Sequence, residues 1–127
     1  MNVLSEAEVR QYREQGYLFP IPVMSPAEAA ALRGRLEAYE AASGPLAGKL
    51  RHKPHLLFTW LNELIHHKAI LDAVEDVIGP DILVYHSTLF LKEAHTHAYV
   101  RWHQDSPYFY LDPHEHVTAW VDRKSVV

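Results

Sequence analysis

Near its end the chain runs Tyr99-Val100-Arg101-Trp102-His103-Gln104-Asp105-Ser106-Pro107-Tyr108-Phe109. His103 and Asp105 are the residues here that could do chemistry. A neutral imidazole and a carboxylate are two of the three donors of a 2-His-1-carboxylate facial triad, which suits Fe(II) and leaves positions open on an octahedral ion. The flanking residues are aromatic and β-branched, so the segment reads as a strand. Along a strand, residues i and i+2 point to one face. On that reading His103 and Asp105 converge on one ion while Gln104 faces away, and a third donor, a histidine, lies far downstream. The bare tripeptide is a weak signal. With ten histidines and six aspartates in 127 residues, chance supplies roughly half an occurrence of His-x-Asp. The elements around the pair must decide.

Those elements begin with a well-marked helix. Ser5 is an N-cap, Glu8 completes a capping box, and Leu4 and Val9 have the spacing of a hydrophobic staple. Gly16 closes the helix as a left-handed C-terminal residue. Tyr17, Leu18, Phe19 and Ile21 read as a short strand, held to an edge by Pro20 and Pro22. Ser25-Pro26-Ala27-Glu28 opens a second helix, with serine at the cap and proline at the first position. Ala29, Leu32, Leu36 and Tyr39 then repeat at helical spacing, and Gly44-Pro45 stops it. Residues 43–55 read as a loop. The pattern over 56–78 is helical again, as two helices with a break near His67, ended by Gly79-Pro80. Beyond that point the periodicity changes. Ile82-Leu83-Val84-Tyr85, Thr88-Leu89-Phe90-Leu91, 99–103 and 117–121 are strand candidates. Helices followed by strands give an α+β or mainly β fold with a helical preface.

Composition narrows the function classes. The chain is 48% apolar and 22% charged, enough to bury a core in one domain. A net charge of −4 lacks the basic stripe of a nucleic-acid binder. Without cysteine there is no disulfide, thiolate metal site or thiol nucleophile. Glu6, Glu8 and Arg10 do not read as a secretory signal, and no run approaches bilayer length. The expectation is a soluble cytoplasmic protein, with neither nucleic acid nor membrane as partner.

Several separated segments resemble one family in order and spacing. Trp102-His103-Gln104-Asp105 followed by Pro107-Tyr108-Phe109, with Thr118-Ala119-Trp120 about a hairpin later, is similar to the phytanoyl-CoA dioxygenase family of Fe(II)/2-oxoglutarate oxygenases. Leu4-Ser5-x-x-x-Val9-x-x-Tyr12-x-x-x-Gly16-Tyr17-Leu18 looks like that family's usual opening. His86-Ser87-Thr88-Leu89-Phe90-Leu91-Lys92 resembles the strand before its metal motif. The resemblance implies a double-stranded β-helix, a cupin-like jelly roll with N-terminal helices outside it. It implies Fe(II) on His103 and Asp105, 2-oxoglutarate against Thr88 and Trp120, and hydroxylation of a C–H bond. Halogenating members of the group look as though they carry alanine in place of the carboxylate, so Asp105 favours hydroxylation.

Other candidates are weaker. Tyr108 and Tyr110 are candidate substrate-pocket residues, and Lys92 a candidate partner for an acidic substrate. His95-x-His97 and His114-x-His116 have zinc-compatible spacing but lie in turn-like stretches, where exposed histidines are the preferred reading. His66 and His67 are adjacent and suit a helix end. Arg51, His52, Lys53 and His55 form a basic loop read as solvated.

The tail departs from the family. After Trp120-Val121, relatives continue with small apolar residues. Here Asp122-Arg123-Lys124-Ser125-Val126-Val127 reads as a translated sequencing-library adapter. The expectation is therefore a truncated domain over 1–121 and a non-native tail over 122–127. The distal histidine, an arginine for 2-oxoglutarate and the C-terminal part of the barrel would lie beyond 127, and the open barrel edge would invite self-association. Such a chain is expected to be inactive alone. The alternative is a non-catalytic metal-binding or oligomerising domain.

Overall fold

Two serines start the first two helices. Ser5 Oγ accepts the Glu8 N–H at 3.3 Å, and the Glu8 carboxylate accepts the Ser5 N–H at 2.7 Å. This reciprocal pair satisfies amides that the first turn of α1 (Glu6–Gln15) cannot pair internally. Ser25 and Glu28 repeat it at 3.2 and 2.7 Å ahead of α2 (Pro26–Ser43). Gly16 ends α1 at φ 81°, a left-handed conformation that costs glycine nothing. We describe residues 2–92 and 95–122 of a computed structural model.

Two 3₁₀ turns, Gly48–Arg51 and Pro54–Leu56, fill the loop after α2. Then come α3 (Thr59–Ile65) and α4 (Lys68–Ile78), broken at His66 and His67. The His66 ring N–H donates to the Asn62 carbonyl at 2.8 Å, one of the carbonyls the end of α3 leaves unpaired. A short α5 (Ser106–Phe109) completes the helices.

The staple residues Leu4 and Val9 are buried with Ala73 of α4, and Leu18, Ile21 and Val77 pack against them. Asp76 of α4 ties the N-terminal segment to this cluster. Its Oδ1 accepts the Asn2 N–H at 2.6 Å, and its Oδ2 accepts those of Val3 and Leu4, each at 2.8 Å. Leu46, Pro54, Leu61 and Ile70 are buried elsewhere along the helical half.

The expected jelly roll is not there. Among the described residues there is no strand, sheet or barrel; one antiparallel bridge joins His52 to Thr88. It is flanked by hydrogen bonds from Lys53 N–H to Ser87 O at 2.8 Å and from Leu89 N–H to Arg51 O at 3.0 Å. The segments expected as strands, 17–21, 82–85, 88–91, 99–103 and 117–121, form no ladder. Their composition favours an extended chain, but a strand exists only when a neighbouring backbone takes up its N–H and C=O groups. Strand propensity measures fit to such a neighbour rather than an intrinsic preference. Many of their apolar side chains are correspondingly exposed, Leu83 at 93% and Trp102 fully. Of the tail expected to be non-native, 123–127 lie outside the described residues.

Candidate metal centre

The His103–Asp105 segment is a bend leading into a helix, not a strand. Asp105, at φ −72° and ψ −32°, is the residue before α5, and Pro107 sits in that helix's first turn. The two side chains nevertheless meet. His103 Nε2 lies 3.1 Å from Asp105 Oδ1. The opposite ring nitrogen, Nδ1, is 2.7 Å from the Arg101 carbonyl oxygen. A carbonyl can only accept, so Nδ1 carries the proton. In a neutral ring Nε2 then holds a lone pair aimed at a carboxylate oxygen. That contact is favourable only when the ring is protonated or a cation stands between the two. The donor set thus fits two ligands of a divalent metal, with the imidazole oriented by a backbone carbonyl as metal-ligating histidines commonly are.

Thr118 supplies a further contact. Its hydroxyl donates to Asp105 Oδ2 at 2.6 Å. The Tyr108 ring stands edge-on to His103, centroids 6.3 Å apart. Val100, Arg101, Trp102, His103, Asp105 and Tyr108 line an open groove. Among the described residues no group of three or more His, Asp or Glu side chains gathers around one point, so the pair stands without a third ligand there.

The other expected site residues are scattered. Thr88 is exposed at the bridge to His52, and Trp120, 67% exposed, rests its ring on Phe90 at 5.5 Å. Neither is hydrogen-bonded to His103 or Asp105. Of the substrate candidates, Tyr108 lines the groove, Tyr110 is 91% exposed in a left-handed conformation, and Lys92 is exposed. The histidine pairs at 95/97 and 114/116 gather no metal cage. His116 packs edge-on against Phe109 instead, centroids 5.1 Å apart.

The basic loop is less solvated than its composition suggests. His52 faces His86 at 5.6 Å, and His55 Nδ1 shares a hydrogen bond with the Ser87 hydroxyl. Partial burial, followed by the charges of His52, Lys53 and His55, holds the His86 pKa below its ordinary value.

Sequence reasoning missed two contributors, the Arg101 carbonyl and Thr118. The available signal for Thr118 was chemical. A carboxylate ligand needs a donor for its second oxygen, and a hydroxyl residue stands two positions before Trp120.

Residues 12–122 match the family model of phytanoyl-CoA dioxygenase (PhyH). No curated protein and no solved structure matches the chain.

Proposed function

The chain belongs to the phytanoyl-CoA dioxygenase family, and from that premise we propose that it carries the N-terminal part of an Fe(II)/2-oxoglutarate-dependent hydroxylase centre acting on a small molecule. The family is one of oxygenases. The observation that carries the reading to this chain is the His103–Asp105 pair. Nδ1 is committed to a carbonyl, so Nε2 and Oδ1 are left facing each other at 3.1 Å, two acceptors that a cation would reconcile.

Within this reading His103 and Asp105 hold Fe(II), and Thr88 and Trp120 stand at the 2-oxoglutarate site. Tyr108, Tyr110 and Lys92 face the substrate. When bound, Fe(II) with 2-oxoglutarate and dioxygen supplies hydroxylation of an unactivated C–H bond, coupled to decarboxylation of the 2-oxo acid to succinate. The chain's own residues do the positioning. The Arg101 carbonyl fixes the imidazole tautomer, and the carboxylate contributes negative charge. With two ligands gathered among the described residues, the 127-residue chain alone does not turn over, and a third donor comes from outside those residues.

The test is anaerobic titration with Fe(II), with and without 2-oxoglutarate. The chain should bind one Fe(II) through His103 and Asp105, without the visible charge-transfer band of a complete 2-oxoglutarate complex and without succinate once air is admitted. Failure to bind any divalent metal would overturn the reading. The band at full occupancy would overturn the inactivity of the chain alone.

A further inference from the structure

Resting on the metal reading above, we infer that Thr118 is a positioning residue that holds Asp105 to ligation through Oδ1 alone. A free carboxylate offers two equivalent oxygens on a torsion with a broad, two-fold profile, so nothing intrinsic selects one. Here the oxygens differ. Oδ2 accepts the Thr118 hydroxyl at 2.6 Å, in the range of a charge-assisted bond, while Oδ1 lies beside His103 Nε2 at 3.1 Å. Among the described residues these are the two side-chain partners of the Asp105 carboxylate, and no lysine or arginine pairs with it. A threonine side chain is stiff at χ1 because of its branched Cβ. Two residues later the exposed Trp120 ring rests on Phe90, centroids 5.5 Å apart. Thr118 thereby joins the 117–121 segment to the ligand pair from thirteen positions away.

A purely structural tether would need only the packing of the threonine, whereas a positioning role needs its hydroxyl. Thr118→Val keeps the shape and removes the donor. Thr118→Ser keeps the donor and removes a methyl group. Thr118→Ala is the smaller substitution if valine is not accepted, and far-UV circular dichroism checks that each variant keeps the wild-type helix content. Anaerobic Co(II) titration of the full chain should show affinity weakened roughly 10- to 100-fold in Thr118→Val or Thr118→Ala, the usual cost of losing an outer-shell partner. Thr118→Ser should stay within about threefold of wild type by the same argument.

The second readout is the infrared difference spectrum, metal-bound minus metal-free. The wild type should show the wide carboxylate stretching separation of one-oxygen ligation, absent in Asp105→Asn. Thr118→Val should narrow it. A Thr118→Val or Thr118→Ala chain with wild-type affinity and wild-type separation overturns the role of Thr118 and leaves the metal pair standing. A wild-type chain that binds no Co(II) overturns the metal pair itself, and the role of Thr118 with it.

Discussion

His103 Nε2 lies 3.1 Å from Asp105 Oδ1 across a bend in which the other imidazole nitrogen is already bound to the Arg101 carbonyl. Two side chains are brought together by three residues of backbone, without help from a sheet. The contact therefore rests on local geometry and should persist when distant packing is altered.

Its first consequence concerns metal. With two protein ligands, losing either removes half the protein donor set. His103→Ala and Asp105→Asn should each cost at least about 100-fold in Co(II) affinity, more than the loss of an outer-shell partner. Excess chelator should return the wild type to its metal-free spectrum. Because the imidazole must be unprotonated to ligate, proton and metal compete for one nitrogen and binding should weaken as pH falls. Titration calorimetry between about pH 5.5 and 8 checks both statements across that range. Unchanged affinity in either variant would separate the pair from the metal.

The Asp76 clamp sets a second expectation, on acid stability. Hydrogen bonds from the backbone of Val3 first, then Leu4 and Asn2, hold the Asp76 carboxyl below its usual pKa. Capping contacts with Ser5 and Ser25 do the same for Glu8 and Glu28. A group whose pKa is lower folded than unfolded stabilises the fold above the unfolded value and loses that contribution as pH falls. The thermal midpoint should thus drop as pH falls below about 4. Asp76→Asn should lower the midpoint at neutral pH and flatten this acid branch, as measured by circular dichroism melts over pH.

Much of the helical half is legible in the sequence because its determinants are local. Ser5 with Glu8 and Ser25 with Glu28 lie within one turn, Gly16 stands where the left-handed angle is needed, and Leu4 and Val9 flank a single cap. The Asp76 clamp spans more than seventy positions and carries no local pattern. The segments 82–85, 88–91 and 117–121 depart from expectation for a related reason: their residue types suit a sheet, but pairing is a property of the neighbour. The His103–Asp105 contact is an instructive mixture. Strand alternation predicts the right pair, while the observed backbone achieves it by a bend into α5. Thr118 was legible as part of a family pattern, yet its bond to Asp105 depends on how the 117–121 segment is placed.

The core supplies a third prediction. Leu46 is 1% exposed, whereas Leu83 is 93% exposed. Leu46→Ala removes buried methyl groups and leaves a cavity, at a cost of about 2–5 kcal/mol. Against a typical total of about 5–15 kcal/mol this is a large fraction. Leu83→Ala should change stability by no more than about 0.5 kcal/mol. Urea unfolding of the two variants side by side tests whether burial, and not residue type, governs the cost. Equal losses would mean that Leu83 is covered in solution.

The last prediction concerns His86. Partial burial is the larger cause of its lowered pKa, and the charges of His52, Lys53 and His55 add to it. In a histidine titration followed by NMR, His86 should therefore charge below the ordinary histidine value of about 6.5. Lys53→Ala should move the His86 midpoint upward by only part of the difference, because desolvation remains. The sign for stability follows. A histidine whose pKa is depressed in the fold binds its proton more tightly when unfolded, so its contribution is present above about pH 6.5 and lost as pH falls. Lys53→Ala should soften the loss of stability between about pH 6.5 and 5 by relieving part of that depression. A His86 midpoint at or above about 6.5 would show that its partly buried, charge-flanked setting does not persist in solution.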